Sequence, residues 1–481
     1  MLPLATSAAY IERYSRGVIE TTRHSFAHLL YYHLASTVAL HEQGVVAPPR
    51  ARRIIGALLD LLDRGADRVA FDPALENLQP NVEQAIVEAI GPDDAGDLSL
   101  GRARAEFGYV AEMLAVREDM LTALASVVGL GNCLARQAAA LKDVLAPFYT
   151  VHMRAEPITL GYYFAAFAEN LEQQTARLRS SYGRMNLSSA AVGHIVPSPV
   201  GMDRERISAL LGYDRVVRNS LYGYFNCDVA IDALAAAANT AASVGRLALD
   251  LYLWAGSDLK LVAFDDAWCS GSFIMPQKRN PSFLKPVRRS AIKVAKLHGE
   301  ALELMMHTAP MQLVDVMGIP SLAHQGLAEL VYALDLMSAA LATITVDRAK
   351  GAELAGSDFM QAAQLVDLVM REAGVGWRPA ERIVGCFVRE STGMPDPRAL
   401  ESIASTFLER SITIADDAFR AAMNPAAIVA SRGDSGPAPD AVAAMSAELA
   451  KVFCDARAFV DIERNRLALT WRRLVEAARA A

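Results

Sequence analysis

Cysteine is scarce in this chain. The five cysteines among 481 residues are Cys133, Cys227, Cys269, Cys386 and Cys454. No two stand at the spacing of a metal site, and they are too few for a disulfide framework. A reducing compartment, the cytoplasm, is therefore expected. Long apolar runs are missing too: no stretch of about 18 residues is both strongly apolar and free of charge, so no membrane span is expected. The start, Met-Leu-Pro-Leu-Ala-Thr-Ser, lacks the basic and apolar segments of a signal peptide. There is no run of Lys and Arg, and the net charge is −7 with a pI of about 5.8. These exclude nucleic acid and anionic membrane as partners. Charged residues are only 21% of the chain, below the usual quarter or so, as in proteins that bury extra surface between subunits. Internal repeats and low-complexity tracts are absent.

What the chain has is alanine and leucine in long stretches with few polar breaks. Hydrophobic residues make up 53%, and the reading is all-α. Residues 227–256 are the clearest case, with only Asp228, Asp232, Arg246 and Asp250 charged. Ile231, Leu234, Ala238, Ala241, Gly245, Ala248 and Tyr252 fall at spacings of three and four, and Val244, Leu247, Leu251 and Trp254 make the other faces apolar. A helix apolar nearly all round lies at the centre of a bundle. Helical stretches at 105–146, 158–182, 281–307 and 320–346 complete an expected bundle of five long helices. Breaks at Ala47-Pro48-Pro49, Gly91-Pro92, Gly393 to Pro397 and Gly433 to Pro437 suggest three helical domains: 1–104, 105–349 and 350–481.

One segment carries chemistry. Residues 271–281 read Gly-Ser-Phe-Ile-Met-Pro-Gln-Lys-Arg-Asn-Pro. Gly271 and Pro276 mark a loop, and Pro281 suits the first turn of a following helix, with Asn280 as its N-cap. A hydroxyl, a cation and an amide together are suited to hold a carboxylate and to remove a proton from the carbon beside it. The run resembles the signature loop of the fumarase/aspartase superfamily, Gly-Ser-Ser-x-Met-Pro-x-Lys-x-Asn-Pro, and with Gln277 it is most similar to the argininosuccinate lyase branch. The resemblance spans nearly the whole chain. It includes Glu76 to Glu83, Gly101 to Arg104, Tyr149 to Pro157, Asn219-Ser220-Leu221 with Asp228, Phe264 to Ala267 and Ser435 to Pro439.

The resemblance implies a lyase that removes a group from a substituted succinate by anti β-elimination, releasing fumarate, or runs the reverse addition. The broken bond is expected to be C–N. It implies a homotetramer with active sites shared between subunits, a small dicarboxylate substrate, and neither cofactor nor metal. Ser272 matches the family's base. Lys278 and Asn280 match groups that hold the substrate carboxylate, and the bare chemistry of a cation and an amide agrees. Met275 matches the motif's methionine, beside the substrate, and Thr150 is expected to donate to a carboxylate.

Several positions depart from the family. Its proton-relay histidine falls on Val151, and His152 lies one residue later. Either His152 has slipped into the site or the relay is gone. Of a substrate-gripping Ser-Arg-Asn-Asp-Gln run only Arg104 survives in Ala103 to Phe107. Gln79 replaces a histidine, Phe273 replaces the second signature serine, and three further substrate positions fall near Gln312, Met317 and Pro320. The stripped donors imply a substrate other than argininosuccinate. The alternative is a non-catalytic structural or regulatory homologue. His24 and His28, at i and i+4, lack a matching carboxylate and read as structural. Met305, Met306 and Met311 read as core.

Overall fold

The structure is a computed structural model and describes residues 7–193, 196–224, 227–308, 316–391 and 393–481. After short helical segments between Ala8 and Ser25 come three longer helices, α1 (Phe26–Glu42), α2 (Pro48–Arg64) and α3 (Leu78–Ile90). The expected bundle follows as α4 (Arg104–Ala140), α5 (Leu160–Met185), α6 (Asp228–Trp254), α7 (Leu284–His307) and α8 (Ile319–Leu341). With 37 residues, α4 is about 55 Å long at about 1.5 Å per residue. It packs on α5 and α8, while α6 packs on α5, α7 and α8. The small residues of α6 explain its closeness to its neighbours: Ala230, Ala233, Ala237, Ala241 and Ala248 are all buried. Leu249, Tyr252 and Leu253 on the same helix stay partly exposed.

A second, smaller core forms from α9 (Ala362–Ala373), α10 (Trp377–Glu390), α11 (Pro397–Leu408) and α12 (Asp416–Met423). Leu368, Ile383, Phe387, Leu400 and Phe419 fill it. The chain then returns. The 42-residue α13 (Pro439–Ala480) lies along α4 and α5 and gives Leu449, Phe453, Val460, Leu467 and Leu474 to the main core. Only a glycine permits this approach, since a Cβ on Gly131 of α4 would sit 2.3 Å from the Phe453 ring.

Three boundaries differ from the sequence reading. The stretch 105–146 stops at Ala140, and β1 (Leu145–Thr150) pairs antiparallel with β2 (Met153–Thr159). Pro147 and Pro157 face each other in that ladder and deny the segment to a helix. The helix expected from Pro281 starts at Leu284 and its N-cap is Phe283, so Asn280 caps nothing. The stretch 320–346 ends at Leu341, and Thr345–Val346 pairs with Val262–Ala263 instead.

Candidate active site

The loop at 271–281 is held out from the bundle on a closed neck. Ser270 and Asn280 exchange backbone N–H···O bonds of 2.9 Å in each direction, and the Asn280 side-chain amide donates to the Ser270 carbonyl at 3.2 Å. The Ser270 and Ser282 hydroxyls are hydrogen-bonded, and Arg279 pairs with Asp266 below them. Asn280 is therefore fixed by the neck rather than by a helix end.

Above the neck the chain turns back on itself. The Ser272 hydroxyl oxygen accepts from the backbone N–H of Ile274 at 3.4 Å and of Met275 at 3.2 Å. The Lys278 N–H donates to the Met275 carbonyl at 3.0 Å. Lys278 is exposed and forms no ion pair among the described residues. Phe273 and Ile274 point fully into solvent. Two backbone N–H groups thus point at one serine oxygen, and such donors stabilise an alkoxide.

The hairpin carries Thr150 at the end of β1, with Val151 and His152 as its turn. Both turn residues are left-handed, with φ of 51° and 60°. Two left-handed residues in succession suit a two-residue hairpin turn. Val151 is 93% exposed and His152 is exposed beside it. The hairpin is anchored away from its tip: Arg154 reaches Asp358 at 2.6 Å and Ser357 at 2.9 Å, and Glu156 pairs with Arg432. Thr150 borders a cavity of about 650 Å³ shared with Glu156, Tyr162, Arg432 and Ser435. The structure so brings the 149–157 and 435–437 segments together.

Arg104, Gln79 and Met317 meet at a different cavity, of about 270 Å³. Arg104 is paired with Glu76 at 2.8 Å. Gln79 is buried: its carbonyl oxygen lies 2.7 Å from His33 Nε2, and its amide donates to Ser99 at 3.2 Å. Burial pushes His33 down to about 3, so the ring is neutral at pH 7, and the short contact assigns the proton to Nε2. Ser272, Met275, Lys278 and Asn280 line neither cavity. Gln312 and Met311 lie outside the described residues.

The remaining histidines and methionines have plain surroundings. His24 stacks on His324 with ring centroids 3.6 Å apart, and His324 is 2.7 Å from Asp119. Burial and the neighbouring His324 push His24 down to about 4. His28 lies 3.4 Å from Glu118. No group of three or more metal-ligating side chains stands together among the described residues. Met305 packs on the core, but Met306 is exposed, against expectation. One acid escaped the sequence reading. Glu112 of α4 lines the Arg104 cavity; the signal was a single carboxyl in the otherwise apolar run Val110-Ala111-Glu112-Met113-Leu114.

An all-helical bundle with a serine, a lysine and an asparagine on a pinned loop defines a lyase of the fumarase/aspartase superfamily. Residues 12–295 match the family described as Lyase. The argininosuccinate lyase of Methanoculleus marisnigri is 31% identical over 450 residues, covering 93% of this chain and 91% of that protein. That of Haloarcula marismortui is 31% identical over 416 residues, covering 85% and 82%. In fold, an EDDS lyase solved with formate matches with a TM-score of 0.88 at 24% identity, over 99% of this chain and 96% of that one. A class II fumarase from Schistosoma mansoni matches with a TM-score of 0.70 at 14% identity, over 87% and 94%. The chain belongs to the argininosuccinate lyase-like lyases of this superfamily.

Proposed function

We propose that this lyase eliminates an amine from a substituted succinate other than argininosuccinate, with Ser272 as base. One observation supports the reading most: the Ser272 oxygen receives two backbone N–H groups on the loop that also carries Lys278. The carbon acid beside a carboxylate is weak. Its removal requires an alkoxide-like base and donors for the second negative charge that develops on the carboxylate. In this reading Ser272 takes the proton, and Lys278 and Asn280 hold the carboxylate. Met275 flanks it, and Thr150 and Arg104 contact the substrate from the hairpin and from the N-terminal cavity. The β C–N bond then breaks with its electron pair going to a nitrogen that is protonated in the bound substrate, leaving fumarate and the neutral amine.

The altered specificity rests on Ala103, Ala105 and Phe107 where the family has polar groups. The leaving-group proton is open between two arrangements, His152 in the site or no side-chain donor at all, because Val151 and His152 share one turn. A homotetramer is proposed on two supports. Ser272, Thr150 and Arg104 stand on three separate parts of one protomer. The bundle helices also leave Leu249, Leu253, Ile292, Leu302, Met306 and Tyr332 exposed, an apolar area that a second copy of the chain would cover. The division 1–104, 105–349 and 350–481, and the cytoplasmic location, stay proposals. Val151 favours the rival reading, a non-catalytic homologue.

The test follows fumarate by its ultraviolet absorbance while wild type and Ser272→Ala are incubated with a panel of N-substituted aspartates. Wild type is expected to release fumarate, and the mutant to lose about 10²-fold or more in kcat. A mutant keeping more than about a tenth of wild-type kcat removes Ser272 from the base role, and silence of the wild type on every compound favours the rival.

A further inference from the structure

The small core of α9 to α12 is separate from the main core, and the chain crosses between them twice. It enters after the helix Arg348–Ala355 and leaves through the helix Pro425–Ser431 and residues 432–438. Both crossings lie against the hairpin of β1 and β2. Arg348–Ala355 packs on β1, where a glycine is needed: a Cβ on Gly351 would sit 2.3 Å from the Leu145 carbonyl oxygen. Pro425–Ser431 packs on β2.

Each crossing is a closed turn. Gln361 is fully buried and donates its side-chain amide to the Ala355 carbonyl at 2.9 Å. This closes the entry turn around Asp358 and Phe359, both left-handed with φ of 54° and 52°. In the exit turn the Ala438 N–H donates to the Arg432 carbonyl at 3.2 Å, and the Gly436 N–H to the Gly433 carbonyl at 2.8 Å. The entry turn presents Ser357 and Asp358, and the exit turn presents Arg432.

β2 meets these groups with two charges of opposite sign. Arg154 donates to Ser357 at 2.9 Å and to Asp358 at 2.6 Å, and Glu156 pairs with Arg432. The ladder pairs Tyr149 with Arg154 and Phe148 with Glu156, so Ala155 between them has no opposite residue. Such a bulge re-aims the side chains beside it. Sliding β2 by two residues keeps its faces, but would set Arg154 against Arg432 in one direction and Glu156 against Asp358 in the other. The two signs therefore admit one register. Half-exposed ion pairs contribute little to stability, so their service here is geometric. Arg154 lies one ladder pair below Thr150 and Met153, the pair that ends in the turn. Glu156, Arg432 and Ser435 share the wall of the 650 Å³ cavity with Thr150.

We propose that Arg154 and Glu156 are positioning residues of the elimination: they fix the hairpin tip, and Thr150 with it, to the two crossings of the small core. The proposal rests on the reading above in which Thr150 contacts the substrate. Misplacing a substrate-holding group by about 1 Å costs about 10²-fold in rate, so small movements of the crossings matter at the tip.

The test uses the full-length protein and the N-substituted aspartate that wild type turns over fastest. Arg432→Glu sets two carboxylates against each other. It should lower kcat about 10- to 100-fold while KM changes by less than about threefold. Exchanging the charges, Glu156→Arg with Arg432→Glu, should recover most of that loss. Amide hydrogen exchange without substrate reads the tie on its own: the Phe148, Tyr149 and Arg154 amides should exchange faster in Arg432→Glu, and those of α4 should not change. Should α4 exchange faster as well, the variant is misfolded, and Glu156→Gln, which keeps the shape and removes the charge, takes its place. Faster exchange at the hairpin with kcat unchanged overturns the positioning role and leaves the elimination standing. Unchanged exchange with unchanged kcat overturns the tie itself. Silence of the wild type on every compound removes the elimination and the positioning role together, and the exchange data still show whether the small core holds the hairpin.

Discussion

Replacing Val151 by Asn should stabilise the hairpin of β1 and β2. Val151 has φ of 51°, where its branched Cβ crowds the following carbonyl, at a cost of about 1–2 kcal/mol. Asparagine tolerates that region and is favoured at the first position of this turn type. The substitution has little to lose in packing, because Val151 is 93% exposed. The strand that follows the turn, β2, is held at two points, by Arg154 on Asp358 and Glu156 on Arg432, which resists relaxation of the turn by sliding. The expected gain is about 1 kcal/mol, which is about fivefold in the opening equilibrium. Hairpins open locally, so amide hydrogen exchange is the sensitive assay. The amides of Phe148, Tyr149 and Arg154 should exchange about fivefold more slowly in Val151→Asn than in wild type, and amides in α4 should not change. Unchanged or faster exchange at the hairpin would show that residue 151 is not left-handed, and with it would go the placement of both Val151 and His152 at the tip.

Lys278→Met should weaken inhibition by fumarate or succinate and lower kcat together, since the cation matters most as the second negative charge develops; equal inhibition of mutant and wild type would point the lysine elsewhere. His152→Ala should change kcat little if the relay is gone, whereas a loss of about 10²–10⁴-fold with one limb of the pH profile removed would make His152 the proton donor. Glu112 has a pKa raised from 4.5 to about 8 by burial, so the folded state binds the extra proton. Its contribution to stability is present at low pH and is lost as pH rises between those values. Urea unfolding should show wild type losing a few kcal/mol relative to Glu112→Gln between about pH 5 and pH 8, and parallel curves would refute the raised pKa.

The sequence carried the long helices because their apolar content is high and their breaks are few. Of the buried alanines of α6, Ala241 and Ala248 were readable from spacing, whereas Ala230, Ala233 and Ala237 were not, and Tyr252 of the expected apolar stripe is exposed. The hairpin was not, because alanine and leucine run on through Leu141 and Leu145, and only Pro147 and Pro157 argue for strands. The sequence also places α13 beside the second core, yet its apolar face matches α4, and such a return across the chain leaves no local trace. At the site, the loop was legible as a complete run of residues. Backbone N–H groups near Ser272 were expected of such a loop; what escaped was that they come from Ile274 and Met275, and that the Ser270 carbonyl takes the Asn280 amide. Glu112 escaped because one acid in an apolar helix reads as its solvent side until the neighbouring helices are in place.

The seam between α4 and α13 closes only after α13 has been made. Gly131 and Phe453 touch, yet more than three hundred residues separate them. At about 5–20 residues per second, synthesis takes roughly 15 to 60 s to span that gap. A helix forms within microseconds, so α4 waits beside the ribosome with a groove shaped for a helix not yet made. That groove does not distinguish the α13 of its own chain from that of a neighbour. Crowded refolding should therefore yield copies that have exchanged α13, and dilution before the denaturant is removed should suppress them.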